Sequence, residues 1–242
     1  MSKPAIPILD SSGAQCWSCG AMRAAHFCES CGKVQPPAPT DYFSFFGLPR
    51  KLNLNLAELE REFYKLSRKL HPDVNASAAG QEQEWSLQKS SQLNDAYRTL
   101  KDPISRTEYL LKLEGVQLEE QSKAATEKAR QTGEQKQQVV PPELLEEVFE
   151  LNMQLEEARM NRKTGEQDEQ LAEDLRATKS SLEGKYQALD DELRGYWNEW
   201  DALPAGADDA QRKPVRDRMV GLLNRRSYIR NLVRDVNEVL EG

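Results

Sequence analysis

The chain has 242 residues and a net charge of −7, with 38 % hydrophobic, 7 % aromatic and 30 % charged residues. That length allows two or three small domains, and that mixture suits amphipathic helices with wide solvated faces rather than a large sheet. No apolar run approaches the ~20 residues of a membrane span. No segment gathers the excess of Lys and Arg that phosphate binding requires: residues 116–242 hold 27 acidic against 19 basic side chains. Neither a membrane nor a nucleic acid is therefore expected as a partner.

Residues 1–35 contain all four cysteines, as Cys16-Trp17-Ser18-Cys19-Gly20 and Cys28-Glu29-Ser30-Cys31-Gly32. Each half offers two thiolates at the spacing of a metal-binding knuckle, followed by a glycine suited to a tight turn. Cys16, Cys19, Cys28 and Cys31 are thus the expected ligands of one tetrahedral ion. Structural zinc is the expected occupant and iron the second candidate. Four thiolates leave no open position for a substrate, and His26 is expected to stand aside from the metal. The N-terminus shows neither a secretory apolar core nor an Arg-rich transit pattern, which points to the cytoplasm.

Residues 36–40, rich in proline, read as a linker. Residues 41–115 read as a helical domain. A short apolar helix in Asp41–Leu48 is stopped by Gly47 and Pro49. Leu56, Leu59, Phe63, Leu66 and Leu70 then step by three and four, predicting one buried face on a helix over 56–70. Arg61, Lys65, Arg68 and Lys69 fall on the opposite face. Pro72 ends the helix, and His71-Pro72-Asp73 occupies the loop before a second helix over 82–100, carrying Trp85, Leu93, Ala96, Tyr97 and Leu100.

Residues 116–141 read as a polar linker. Residues 142–242 predict three antiparallel helices, about 142–162, 167–201 and 211–240, packed as a bundle. The second carries Leu171, Leu175, Leu182, Leu189, Leu193 and Trp197. The third carries a stripe from Val215 to Leu240 broken only by Arg226. The first has more apolar surface than one seam needs. Leu144, Val148, Leu151 and Leu155 form its core face, while Leu145, Phe149 and Met153 form a second stripe edged by Glu146, Glu150 and Glu157. Such a strip suggests a partner site, although packing inside the bundle would also account for it. The fold class is therefore all-α: a helical hairpin domain and a three-helix bundle, preceded by a four-cysteine module.

Taken together, Tyr42–Leu48, the basic helix, His71-Pro72-Asp73 and Asn94-Asp95-Ala96-Tyr97-Arg98-Thr99-Leu100 resemble the J-domain family. The segment Arg106-Thr107-Glu108-Tyr109-Leu110-Leu111 and the C-terminal region make the chain similar to HscB, the J-domain co-chaperone of iron–sulfur cluster assembly. The resemblance implies a protein with no active site of its own. His71, Pro72, Asp73, Arg61, Lys65, Arg68 and Lys69 would meet a DnaK/HscA-type chaperone and stimulate its ATPase. Leu145, Phe149, Glu150, Met153, Glu157 and Tyr228 would hold an IscU-type scaffold. It implies a bacterial cytoplasm, or the mitochondrial matrix for a eukaryotic member. A general J-protein with another dedicated client is the alternative, and homodimer formation is left open.

Overall fold

The computed structural model describes residues 15–21, 26–71, 73–75, 80–116, 144–166 and 168–241. Pro72 and nearly all of the 116–141 linker lie outside the described residues. Among them, all regular structure is helical: α1 (Tyr42–Phe45), α2 (Leu56–Leu70), α3 (Gly80–Lys101), α4 (Pro103–Leu113), α5 (Leu145–Thr164), α6 (Glu169–Asp201) and α7 (Asp209–Glu241). Phe27 and Val34 form an isolated antiparallel bridge.

Short polar side chains start these helices by taking up backbone donors that have no partner within the helix. Asp41 accepts from the Ser44 N–H, Asn55 from Ala57 and Glu58, Asp102 from Ser105, and Asp168 from Leu171. At α7, Asp208 and Gln211 cap one another reciprocally at 2.9 and 3.1 Å. Gly165, at φ 77°, closes α5 in the left-handed conformation.

The chain divides into two compact units, Met1–Leu110 and Leu111–Gly242. In the first, α2 and α3 pair along Leu59, Leu70, Leu93, Ala96 and Leu100, all buried. Phe63 stacks on Tyr97 with ring centroids 4.1 Å apart. Leu56 departs from the expected apolar face: as the first residue of α2 it has no preceding turn to lean on and is exposed. The segment 104–113, assigned no structure from sequence, is α4. Its Tyr109 stacks on Tyr42 at 4.4 Å, and its hydroxyl accepts the Tyr42 N–H at 3.0 Å, which fixes α1.

The cysteine head does not stand apart from this unit. Val34 is fully buried in one core cluster with Phe45, Leu70 and Leu93, and Phe27, Phe63, Leu66 and Trp85 pack around them. The stretch 36–40 is thus a short strap between two halves of one core, not a joint between independent bodies.

In the second unit, α6 and α7 make the most extensive pairing and α5 lies against both. Leu171, Leu175, Leu182, Leu189, Leu193 and Trp197 of α6 are buried as a continuous seam. Arg226, the interruption in the α7 stripe, lies at the seam's edge. Its guanidinium bonds Asp190 at 3.1 Å and covers the Tyr186 ring at 4.3 Å. A long cation with an apolar stem satisfies both needs at such a boundary.

Candidate metal centre and partner-binding surfaces

The two cysteine knuckles repeat one backbone geometry. The Gly20 N–H donates to the Cys16 carbonyl at 2.9 Å, and the Gly32 N–H to the Cys28 carbonyl at 2.8 Å. Both glycines sit at φ 72–73°, where a Cβ would be strained. The turns bring the four sulfurs within 4.8 Å of one another. Cys16 and Cys31 Sγ are 3.7 Å apart, and Cys19 and Cys28 Sγ 3.6 Å. A tetrahedron of ~2.3 Å metal–sulfur bonds has edges of about 3.8 Å, so the four residues fit a four-thiolate ion. The same distances are far beyond the ~2.05 Å of a disulfide, and all four cysteines are free.

The surroundings favour ionised sulfur at Cys16 and Cys28 and oppose it at Cys19 and Cys31. Burial pushes the Cys16 thiol up, but the Cys19 and Ser18 N–H groups and the Gln35 amide outweigh it and bring the thiol down to about 6. The Ser18 and Gln35 donors both lie 3.4 Å from its sulfur. The Cys31 and Ser30 N–H groups lower Cys28 in the same way, against burial. For Cys19 the Ala21 N–H lowers the thiol, but hydrogen bonds with Cys28 and its neighbours and burial carry it to about 12. Two sulfurs therefore ionise readily, while the other two keep the protons they share with them in hydrogen bonds, protons that a bound cation displaces.

His26 is not part of this cluster. Its Nε2 lies 2.8 Å from the Phe45 carbonyl, and its ring centroid lies 4.4 Å from that of Phe45. Burial lowers its pKa, so the ring is neutral and Nε2–H is the donor. It is a bolt between the head and α1.

At the far end of α2, His71 takes a β-region backbone (φ −61°, ψ 131°) and ends the helix. Its Nδ1 accepts the Asp73 N–H at 3.2 Å, and the Asp73 side chain is 90 % exposed. The loop is held from beneath by residues that sequence reasoning passed over. The Asn75 amide lies within 3.1 Å of the Lys69 and His71 carbonyls and of Ser86 Oγ. Ser86 and Ser90 hydroxyls, both from α3, donate to the Leu70 carbonyl. An Asn five residues past the end of α2 was the available signal, since its amide supplies donors to orphaned carbonyls.

Arg61, Lys65, Arg68 and Lys69 are all exposed on α2. Lys65 pairs with Glu62 at 3.1 Å and Arg61 with Glu58 at 3.7 Å. The Lys69 ammonium lies 5.5 Å from the Phe27 ring centroid, so the basic face reaches the head.

On α5 the two stripes separate. Val148, Leu151 and Leu155 are buried, while Leu145, Phe149 and Met153 are 55, 67 and 60 % exposed. Met160, at 64 %, extends the strip by two turns and was not anticipated. Glu150 and Glu157 are exposed at its margin. Tyr228 does not join them. It is buried among Ser227, Ile229 and Leu232 of α7, and that burial, with Asp235 nearby, raises its pKa. At 7 % exposure its ring is covered within the second unit.

Residues 41–109 match the family described as the DnaJ domain. An iron–sulfur cluster co-chaperone HscB homolog of Arabidopsis thaliana is 34 % identical over 148 residues, covering 61 % of this chain and 53 % of that one. A co-chaperone HscB homolog of Vibrio vulnificus is 38 % identical over 117 residues, 48 % of this chain and 60 % of that one. Over part of its length the chain is thus similar to HscB co-chaperones. It spans about half the length of the curated HscB relatives it matches. The crystal structure of human HscB shares the fold, with a TM-score of 0.61 at 23 % identity, over 93 % of this chain and 98 % of that one. HscB relatives occur in bacteria and in eukaryotes, and no described helix here is long and apolar enough to cross a membrane.

Proposed function

We propose that this chain recruits an IscU-type iron–sulfur scaffold to a DnaK/HscA-type chaperone and stimulates that chaperone's ATPase, promoting cluster transfer. The observation that supports this reading is that two compact units carry exposed surfaces of different chemistry. One offers His71 and Asp73 beside a basic helix; the other offers an apolar strip edged by carboxylates. The first suits an acidic docking surface and the second an apolar one.

His71, Pro72 and Asp73 act here as contact groups, and the hydrolytic chemistry stays in the chaperone. Arg61, Lys65, Arg68 and Lys69 steer and align the encounter. Leu145, Phe149, Met153, Glu150 and Glu157 hold the scaffold, with Met160 added to the set and Tyr228 removed because it is buried. Zinc is the ion held by Cys16, Cys19, Cys28 and Cys31, where it supplies folding energy and no chemistry. The place of action is the cytoplasm of a bacterium, or the mitochondrial matrix of a eukaryote.

The experiment is affinity capture of the tagged chain from its native cells, with metal analysis of the same sample. A DnaK-type chaperone, an IscU-type scaffold and one zinc per chain are expected. A broad mixture of nascent proteins without a scaffold would replace this reading with that of a general J-protein.

A further inference from the structure

The head touches the hairpin at the end that carries His71, through Val34, Glu82 and Trp85, which no partner-binding role employs, and through Lys69 over Phe27. We infer that the metal-held head is a brace for the His71 loop, and that metal occupancy controls how well that loop is ordered. The functional half of this inference rests on the co-chaperone reading above; the structural half stands on contacts within the first unit.

The route from sulfur to loop is short. Gln35 Nε2 lies 3.4 Å from Cys16 Sγ and 2.9 Å from the Lys33 carbonyl, which also accepts the Cys28 N–H at 2.9 Å. Lys33 Nζ pairs at 2.9 Å with Glu82, and the other Glu82 oxygen accepts the Val34 N–H at 3.0 Å. Glu82 is a buried carboxylate in the first turn of α3. Four residues along the same helix, Ser86 donates to the Leu70 carbonyl, and Leu70 directly precedes His71. Val34 meanwhile fills the core against Leu70 itself. Trp17, between the first pair of cysteines, packs edge-on to Trp85 at 5.5 Å and donates its indole N–H to the Val34 carbonyl at 2.8 Å.

The head is too small to hold this shape without its ion. Its described residues bury little apart from Cys16, Cys28, Val34 and Gln35, so the metal is what keeps the two knuckles together. When the ion leaves, Val34 is no longer presented to Leu70, and Glu82 is left buried without its two donors. A buried carboxylate without partners is unfavourable, and the start of α3 rearranges to hydrate it. Ser86 and the Leu70 carbonyl move with it. The bundle of the second unit shares none of these contacts. Metal loss thus separates chaperone activation, which fails, from client binding, which persists.

The test is hydrogen exchange on the full chain, read by mass spectrometry with thiols kept reduced. The protein is compared with zinc bound, after chelation, and after zinc is restored. Chelation is expected to speed exchange about tenfold in peptides covering 69–75 and 80–90, and to leave those of 171–200 unchanged, with zinc restoring protection. Glu82→Ala should speed the same peptides while retaining one zinc per chain. Glu82→Gln, which keeps an acceptor for the Val34 N–H but loses the Lys33 pair, should fall between. Unchanged exchange at 69–75 after chelation, or full protection in zinc-loaded Glu82→Ala, would overturn the brace. ATPase stimulation by the zinc-loaded wild type is measured in parallel: its absence would count against the co-chaperone reading while leaving the exchange result to decide the brace.

Discussion

Replacing Phe149 and Met153 by alanine separates a partner surface from a core face, because the two assignments predict opposite balances. A Phe side chain carries ~200 Å² of surface. Phe149 is 67 % exposed, so about a third of that area, roughly 65 Å², is covered on folding. At ~25 cal/mol per Å² its truncation costs at most about 1.6 kcal/mol of stability. The uncovered part, roughly 130 Å², is available to a partner and is worth up to about 3 kcal/mol, or roughly a hundredfold in affinity. Leu151, two residues along on the opposite side of α5 and 1 % exposed, should behave in reverse: its alanine variant should lose about 2–5 kcal/mol of stability. Urea unfolding followed by circular dichroism gives the first quantity, and calorimetric titration with an IscU-type scaffold gives the second. A double variant as unstable as Leu151→Ala would place the strip inside the bundle. A stable double variant with unchanged scaffold affinity would refute the strip as the client site.

Other variants probe the scaffold of the fold and the site. Leu175→Ala, at a fully buried position of α6, should destabilise the second unit by about 2–5 kcal/mol in urea unfolding. Asp41→Ala should cost the first unit about 1 kcal/mol, since Asp41 caps α1 and bonds Arg50 at 2.8 Å. Burial raises the Asp41 carboxyl, but the Ser44 N–H and Arg50 more than offset it and hold it below its ordinary value of 3.8. Its stabilisation is therefore complete above pH 3.8 and is lost as pH falls through the lowered native value, so the gap between variant and parent should close at acid pH. Arg226→Ala should cost about 1 kcal/mol by removing a half-buried ion pair and the cover over Tyr186, measured as a shift in the urea midpoint of the second unit.

Periodicity made the helices legible. The 56–70 helix and the three bundle helices appear within a few residues of their expected bounds because each buries one face, and a buried face writes a period of three and four into the sequence. The metal site was legible for a different reason: its ligands come in two short repeats whose spacing is fixed by turn geometry. Long-range contacts were not legible. Glu82 looked like an ordinary acid at a helix start, and its burial depends on Lys33 and Val34, some 48 residues earlier. Val34 and Phe27 lay in a segment whose cysteines drew all the attention, and their hydrophobicity was too sparse to announce a shared core. Tyr228 was placed by resemblance and not by periodicity. Its neighbours Ile229 and Leu232 already put that side of α7 inward. Met160 escaped because Glu157 stands at the intervening position of the strip.

The proposed function requires one chain to join two partners through two separate surfaces. The most direct measurement is single-turnover ATP hydrolysis by a DnaK-type chaperone, with the wild-type chain, His71→Gln and Phe149→Ala with Met153→Ala, each with and without an IscU-type scaffold. The wild type should accelerate hydrolysis and do so further when the scaffold is present. The strip variant should keep the first acceleration and lose the second, and His71→Gln should lose both. Acceleration by His71→Gln equal to the wild type, or no additional effect of the scaffold on the wild type, would contradict the claim.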